Sequence, residues 1–262
     1  MGSRAVDPQS IRNVTIVGEP AETTRVARRL LSEGSGARSG TVPHRVPGAG
    51  GTFMIRVAEL GSHAPIADLE RSIRVADGAV VVLNAATASA SRLDTVLRMA
   101  DDHQVARLCL VTGLDHPAAD FDRCVRAIAA TRGARPLPLH LPLGVGPGFG
   151  GVIDLVPMWA LEPMAAEFYG DRWQVAEQWY RDLVSAVTEQ DDGDPEAARG
   201  PRGIPPEELH DRIRSATRLG EAVPVLCDTA RHGDDIAALP DAIVRYLPSP
   251  TLVCQPEHAL DY

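Results

Sequence analysis

Two kinds of hydrophobic pattern alternate along most of the chain. Short apolar runs, such as AVVVL, are followed by longer stretches in which apolar residues recur every three or four positions. The short runs predict buried strands at residues 13–17, 53–57, 79–83, 107–111, 137–141 and 223–226. The longer stretches predict helices at residues 23–31, 66–75, 89–102, 118–131, 205–219 and 235–246. Loops are predicted at residues 18–22, 58–64 and 32–52, the last of these rich in Gly, Ser and Pro. The repeated strand–helix order predicts an α/β fold, with a parallel sheet and helices on both faces.

A glycine-rich stretch at residues 144–151, GVGPGFGG, interrupts this alternation. In the segment that follows, Ala176, Tyr180, Leu183 and Val187 fall on one helical face, which predicts an ordered α/β insertion subdomain with a small core of its own. The predicted organisation is a flexible N-terminus at residues 1–10, a main domain at 11–250 that contains the insertion at about 148–204, and a tail at 251–262.

The composition is that of an ordinary globular domain with an unusual choice of cations. The chain has 262 residues, of which 44% are hydrophobic and 23% charged, enough for one large domain with a buried core. Its net charge of −9 argues against general nucleic-acid binding, because that requires a basic field. All 26 basic residues are arginine, so the chain offers no lysine amine to bind a phosphate or to act as a base.

The cysteines and the apolar runs indicate a cytoplasmic protein. Cys109, Cys124, Cys227 and Cys254 lie far apart, without a C-x-x-C pair or a nearby histidine cluster. We therefore predict buried thiols and no metal site. No apolar run approaches the length of a membrane span, and the N-terminus lacks the apolar stretch of a signal peptide, so we expect no membrane partner. The oligomeric state stays open.

The first predicted strand, loop and helix have the order of a phosphate-binding loop. Such a loop needs Gly-x-x-x-x-Gly-Lys-Ser/Thr, in which backbone N–H groups and one ammonium surround a polyphosphate. Residues 18–24 read GEPAETT, without the second glycine and without the lysine. Two glutamates add negative charge there, and the proline has no N–H to donate. The residual candidates for phosphate contact are Gly18, Thr23 and Thr24.

Four longer blocks carry a more specific similarity. They are LERSIRVADGAVVVLNA at residues 69–85, RLCLVTGLDHPAADFDR at 107–123, a block from LPLG to MWA at 141–160, and a block from VPVLCDTA to LPSP at 223–250. In this order they resemble the GTPase domain of bacterial elongation factor G, over about residues 11–250. The resemblance implies a P-loop NTPase-type fold, in which the insertion corresponds to the extra subdomain of that family's G domain. It also implies binding of GTP with magnesium, and contact with the ribosome or with other translation factors.

The same resemblance shows which functional positions have changed. The family's Asp-Thr-Pro-Gly-His motif falls on AELGS at residues 58–62, where only the glycine is kept. The guanine-binding Asn-Lys-x-Asp falls on TGLD at 112–115, where only Asp115 is kept, and the base-contacting Ser-Ala appears as Thr229 and Ala230. A residual guanine site at Asp115, Thr229 and Ala230 is therefore implied. No catalytic residue is assigned, because the groups that neutralise charge in phosphoryl transfer are missing.

Each binding candidate has a structural alternative. Asp115 is also explained as a surface residue or as the N-cap of the helix predicted from residue 118. Thr23 and Thr24 are also explained as helix N-caps. Glu19 and Glu22 are interpreted as solvated loop carboxylates rather than as metal ligands or as mimics of the charge of a bound phosphate.

Two further groups are interpreted structurally. Ser62, His63 and Asp68 have the residue types of a nucleophile, a base and an orienting acid, but sequence neighbours rarely point at each other and no nucleophile-elbow pattern surrounds Ser62. We therefore expect no catalysis there. Trp173 and Trp179 are predicted to pack in a core rather than to form a partner surface.

The sequence favours a stand-alone, degenerate G domain that acts as a non-hydrolysing binding or regulatory module, with a link to translation. No cofactor is expected, although weak binding of GTP with magnesium is kept as an alternative. In that alternative the protein is a weak but genuine GTP-binding protein, for which Thr41 and Thr52 are weak candidates as the magnesium-binding threonine. A remnant without a selected function is the third hypothesis.

Overall fold

A seven-stranded sheet with helices on both faces forms the frame of the molecule. The computed structural model describes residues 7–33, 40–47, 50–87, 92–158, 170–188, 204–228 and 236–253. The strands are β1 (Ile11–Gly18), β2 (Thr41–His44), β3 (Phe53–Gly61), β4 (Gly78–Asn84), β5 (Ala106–Thr112), β6 (Pro136–Pro138), β7 (His140–Pro142), β8 (Val152–Asp154) and β9 (Val223–Cys227). The helices are α1 (Pro20–Glu33), α2 (Ile66–Arg74), α3 (Leu93–Asp102), α4 (Phe121–Ala129), α5 (Asp171–Thr188), α6 (Pro206–Arg218) and α7 (Ala238–Tyr246).

The strand order in the main sheet is β2-β3-β1-β4-β5-β9-β6. Every pairing in it is parallel except that of β2 with β3, which is antiparallel. A second, two-stranded sheet pairs β7 with β8. This topology confirms the predicted α/β fold, which is consistent with a P-loop GTPase-type domain.

Alternating side chains of the central strands divide the core into two layers. Val80, Val82, Leu108 and Leu110 pack on one face with α1, α5, α6 and α7, whereas Val81 and other residues one position away pack on the opposite face with α2, α3 and α4. Both faces are apolar because each strand is covered on both sides, as the short apolar runs predicted.

Beyond the connection between β1 and α1, three segments differ from the prediction. The segment predicted as one loop, residues 32–52, contains β2, whose proline is tolerated because β2 is an edge strand. The predicted loop at 58–64 is wrong at its start, since β3 continues to Gly61 by pairing with the whole of β1. The strand predicted at 137–141 is two strands in different sheets, because the prolines of PLPLHLP interrupt one ladder.

Helix α5 packs into the main core. Ala176, Tyr180 and Leu183 are buried, as their shared face predicted, and the Tyr180 hydroxyl donates to the backbone oxygen of Ile204 at 3.2 Å and accepts from its N–H at 3.1 Å. These side chains join the same apolar cluster as the sheet rather than a core of their own. Trp173 is buried there as predicted, and Trp179 is partly buried and packs against the same cluster.

Candidate functional site

The carboxyl ends of four adjacent parallel strands meet at one edge of the sheet. Gly18 ends β1 beside Gly61 at the end of β3, and Asn84 ends β4 beside Thr112 at the end of β5. Ligands of open α/β sheets bind at this edge, where the strand order changes direction. The order changes direction at β1, from which the chain runs to β3 on one side and then to β4 on the other. This edge is therefore the candidate site.

The connection between β1 and α1 is a single residue. Strand β1 ends at Gly18 and α1 begins at Pro20, so only Glu19 lies between them. The predicted loop at residues 18–22 is therefore wrong. Proline is favoured at the first helical position, because its fixed φ suits a helix and the first N–H has no intrahelical partner in any case. The N–H of Thr23 already donates to the Glu19 oxygen at 2.9 Å.

Gly18 and Thr23 are held by the protein itself. A Cβ on Gly18 would lie 2.8 Å from the backbone oxygen of Val82, so the glycine lets β1 approach β4 closely. The Thr23 side chain is buried, and its hydroxyl donates to the Pro20 oxygen at 3.0 Å. Thr24 is half-buried on α1. The N-cap explanation of both threonines is wrong, since each lies inside the helix.

Glu22 reaches from the first turn of α1 across the ends of β4 and β5. Its carboxylate accepts from the Thr112 hydroxyl at 2.9 Å, from the Asn84 amide at 3.3 Å and from the Arg25 guanidinium at 2.6 Å. Thr112 is fully buried, and the Glu22 side chain is about one-fifth exposed. The interpretation of Glu22 as a solvated loop carboxylate is therefore wrong. We call these four residues the Glu22 network.

The second glutamate of this region pairs at the surface. Glu19 lies 3.0 Å from the imidazole of His63, whose side chain is 60% exposed. The neighbouring Ser62 is buried, and its backbone N–H donates to the Gly18 oxygen at 2.7 Å. Asp68 lies 3.8 Å from Arg71 on its own helix. His63 thus faces Glu19, and the described contacts do not link Ser62, His63 and Asp68 as a triad.

The guanine-side residues are divided between the described and undescribed parts of the chain. Asp115 lies half-buried in the turn that follows β5. It does not cap the next helix, because α4 begins at Phe121 and Asp120 accepts from the N–H of its third residue at 2.8 Å. Gly113, at the position of the family's lysine, has φ +69°, and a Cβ there would lie 3.0 Å from the Asn84 amide oxygen. Thr229 and Ala230 lie outside the described residues. The guanine site stays a prediction.

The two threonines considered as magnesium ligands do not lie on α1, β4 or β5, the elements that carry the Glu22 network. Thr41 begins the edge strand β2, opposite Arg56 of β3. The Thr52 hydroxyl accepts from the Arg45 guanidinium at 3.1 Å. Across the described residues, no group of three or more His, Cys, Asp or Glu side chains has a spacing that would hold a metal ion.

The donors at this edge do not fit a polyphosphate. A phosphate-binding loop supplies several consecutive N–H groups and a lysine. Here Pro20 has no N–H, the Thr23 N–H is already used, and at most the N–H groups of Ala21 and Glu22 remain in the first helical turn. The carboxylates of Glu19 and Glu22 also lie at this edge, and a carboxylate repels a phosphate, most strongly where it is partly buried.

Three residues of the network were missed by sequence reasoning: Asn84, Thr112 and Arg25. A signal existed for two of them, since Asn84 and Thr112 directly follow buried apolar runs and therefore end at the same sheet edge. That Glu22 would contact them depends on where α1 begins, which the spacing of apolar residues does not reveal.

Comparisons with known proteins agree with this architecture. The family model described as the elongation factor Tu GTP binding domain matches residues 61–249. The match begins after β1, α1 and most of β3, and so leaves out the segment that holds Gly18, Glu22 and Arg25. In the described residues, no helix combines the length and the apolar character that crossing a membrane requires.

A crystal structure of a protein from Thermus thermophilus is similar to this chain with a TM-score of 0.68 at 20% sequence identity. The similarity covers 92% of this chain and 41% of the Thermus thermophilus chain, so this chain spans less than half the length of that protein. At this identity the likeness concerns the fold. Since the family model matches well over half of the residues, the chain belongs to the elongation factor Tu GTP-binding domain family.

Proposed function

We propose that this chain is a G domain that acts as a non-hydrolysing binding or regulatory module. The observation that carries the proposal is the Glu22 network. A carboxylate of the protein, with three side-chain donors of its own, lies at the sheet edge where this family places nucleotide phosphate. An internal anion there replaces part of the interaction that a phosphate would make, and it repels a real one.

The loss of hydrolysis follows from what phosphoryl transfer requires. Its transition state is stabilised by positioning and by neutralisation of charge, through a lysine, a magnesium ion and an ordered water. Removing a single positioned donor from such a site costs about 3–4 kcal/mol of transition-state stabilisation. The chain has no lysine, and the segment 58–61 that would carry the magnesium and water motif is the end of β3, with Ala58 where the family has aspartate.

A link to translation rests on family membership. The family is that of elongation factor Tu, and contact with the ribosome or with other translation factors is therefore the partner class that we propose. No residue described here identifies such a partner, because a shared fold does not by itself carry a shared function.

The second candidate is a weak but genuine GTP-binding protein. It is favoured by Asp115, which stands half-buried in the turn after β5, where the family's Asn-Lys-x-Asp motif ends. A carboxylate in this turn accepts the two guanine N–H groups in the family that the sequence resembles. In this candidate, Thr229 and Ala230 complete the base site and GTP binds weakly with magnesium.

Release of inorganic phosphate from GTP tests the proposal. The protein is held in excess over GTP with magnesium, and the rate is compared with that of buffer and of Asp115→Ala purified in the same way. We expect all three rates to be equal. Faster release by the wild type than by Asp115→Ala would contradict the proposal, whereas equal release by both proteins at a rate above that of buffer would identify a contaminating GTPase.

A further inference from the structure

A short turn connects β3 to α2 at the candidate site. Strand β3 ends at Gly61 and α2 begins at Ile66, so the turn consists of residues 62–65, SHAP. We call these four residues the β3–α2 turn. In GTPases, switch segments near the phosphates are ordered by contacts with the γ-phosphate and magnesium, and hydrolysis releases them. The contacts that order this turn therefore decide whether its conformation depends on nucleotide.

Backbone hydrogen bonds of the protein hold the start of the β3–α2 turn. The N–H of Ser62 donates to the Gly18 oxygen at 2.7 Å, and the N–H of Ala64 donates to the Gly61 oxygen at 3.0 Å. The first of these bonds ties the turn to the end of β1, and the Ser62 side chain is buried there. Neither bond requires a ligand.

Arg92 binds the same turn from another element. It is the residue before α3, and its guanidinium Nη1 donates to the Ala64 oxygen at 2.7 Å and to the Ser62 oxygen at 3.4 Å. A hydrogen bond from a charged donor is stronger than one between neutral groups, and the shorter bond, to Ala64, dominates. Ala64 is therefore held through its N–H by the turn itself and through its oxygen by Arg92. We call these two guanidinium contacts the Arg92 strap.

The backbone of Arg92 is consistent with a specific role for its side chain. Its φ of +69° lies in the left-handed region, which residues other than glycine seldom adopt. Among the described residues, the only other non-glycine residue with a positive φ is Gln104. Such strain persists where surrounding contacts fix the conformation, and it is concentrated at functional sites. Glycine and asparagine adopt this conformation more easily, but neither carries a guanidinium that could bind the turn.

The exposed corner of the turn has a weaker side-chain contact. His63 lies 3.0 Å from Glu19, the single residue between β1 and α1. The His63 side chain is 60% exposed, and ion pairs at such exposure contribute little. Arg92 therefore supplies the main side-chain contact that orders the turn.

We propose that the Arg92 strap keeps the β3–α2 turn in one conformation whether or not nucleotide is present. A guanidinium of the protein then has the ordering role that γ-phosphate and magnesium have in GTPases. The surface beside the site is constant, and binding of a partner to it is not switched by nucleotide. The inference deepens the proposed function, on which it rests for the premise that the domain acts by binding.

Amide hydrogen exchange of the full chain, measured by mass spectrometry, tests this proposal. Exchange at residues 62–64 reports local opening of the turn. Arg92→Met removes the guanidinium, and we expect this exchange to become faster by about fivefold or more. Arg98→Met on the same helix is the matched control, because the Arg98 guanidinium is 55% exposed and contacts Asp94 at 3.5 Å. It should change exchange in the turn by less than about twofold.

Arg92→Asn separates the strap from the strain of the backbone. Asparagine adopts the left-handed conformation more readily than methionine, so this variant should unfold at a urea concentration no lower than that of Arg92→Met. Because it also lacks the guanidinium, its turn should exchange as fast as that of Arg92→Met. Slow exchange in Arg92→Asn but fast exchange in Arg92→Met would overturn the proposal, since the backbone of residue 92 would then control the turn. Equal exchange in the wild type and Arg92→Met would overturn it as well. Circular dichroism verifies that all three variants are folded.

Addition of GTP and magnesium tests the independence from nucleotide. We expect exchange in the wild-type turn to change by less than about twofold at millimolar GTP, and a larger change would overturn the proposal. Calorimetric titration with GTP separates the two proposals. Tight binding of GTP without a change in the turn would contradict the proposed function and support the Arg92 strap. An Arg92→Met variant without effect, in a protein that binds no GTP, would contradict the strap alone.

Discussion

Replacing Glu22 with glutamine removes the charge of a carboxylate that accepts from three side chains. The bond from buried Thr112, at 2.9 Å, is a hydrogen bond to a charged group, worth about 1.5–3 kcal/mol. The Arg25 pair is partly exposed and adds at most about 1 kcal/mol. The longer Asn84 contact, at 3.3 Å, adds less. Because glutamine keeps one oxygen acceptor and brings an amide that meets the same donors, we expect a net loss of about 2–3 kcal/mol in the free energy of unfolding.

Urea unfolding, followed by circular dichroism, measures this loss. Glu177→Gln on α5 is the matched control, since its carboxylate contacts Arg181 at 3.4 Å on an exposed helix face, and it should cost less than about 0.5 kcal/mol. A double-mutant cycle with Thr112→Val should give a coupling free energy of about 1 kcal/mol or more. If Glu22→Gln is as stable as the wild type, or if the coupling is zero, the carboxylate is not engaged as described and the argument for a filled site fails.

Three further variants test the packing around this frame. Arg107→Met removes a buried guanidinium that donates to three backbone oxygens and pairs with Asp101 at 2.9 Å. We expect the free energy of unfolding, measured with urea, to fall by about 3–5 kcal/mol. A loss below about 1 kcal/mol would show that these contacts are weak. Gly18→Ala forces a Cβ to within 2.8 Å of a backbone oxygen, so it should lower the free energy of unfolding by about 1–3 kcal/mol whether or not GTP is present. A loss that depends on GTP would indicate instead that Gly18 contacts phosphate. His210→Gln tests the pH dependence of stability. Burial lowers the pKa of His210 from 6.5 to about 4 in the folded protein, so as the pH falls this histidine is protonated in the unfolded chain before it is protonated in the folded one. The wild type should lose stability between about pH 6.5 and pH 4, and His210→Gln should lose less over the same range. Identical urea midpoints of wild type and variant at every pH would contradict the lowered pKa of His210.

The fold could be predicted because its signals are local. A parallel strand covered on both faces must be a continuous apolar run, and a helix that covers it must show apolar residues at every third or fourth position. Strand β4 and helix α2 carry these patterns without interruption, and the structure places both within one or two residues of the predicted bounds.

The structure differs from the prediction where strand pairing, or the residue at which a helix begins, determines the conformation. Strand β2 is short and contains a proline, so its composition is that of a loop, and only its pairing with β3 makes it a strand. Strand β3 extends to Gly61 for the same reason, since β1 offers a partner along its whole length. The spacing of apolar residues along the sequence does not reveal which strands pair or over what length.

The contacts in the candidate site depend on the residue at which helix α1 begins. Pro20 is compatible with a loop and also with the first position of a helix. The second alternative shortens the connection to Glu19 and turns Glu22 from a loop residue into a first-turn helical residue, which brings its carboxylate to Asn84 and Thr112. The absence of a lysine could be read from the sequence, whereas the contacts of the Glu22 carboxylate with Asn84 and Thr112 required the structure.

Calorimetric titration of the protein with GTP, GDP and ATP, with and without magnesium, tests the central claim most directly. The Glu22 network predicts no detectable binding up to about millimolar nucleotide, which corresponds to a binding free energy no more favourable than about −4 kcal/mol. Magnesium-dependent, micromolar binding of GTP in preference to ATP would contradict the account. It would show that Asp115 and the few remaining N–H groups of this edge suffice for a working guanine-nucleotide site.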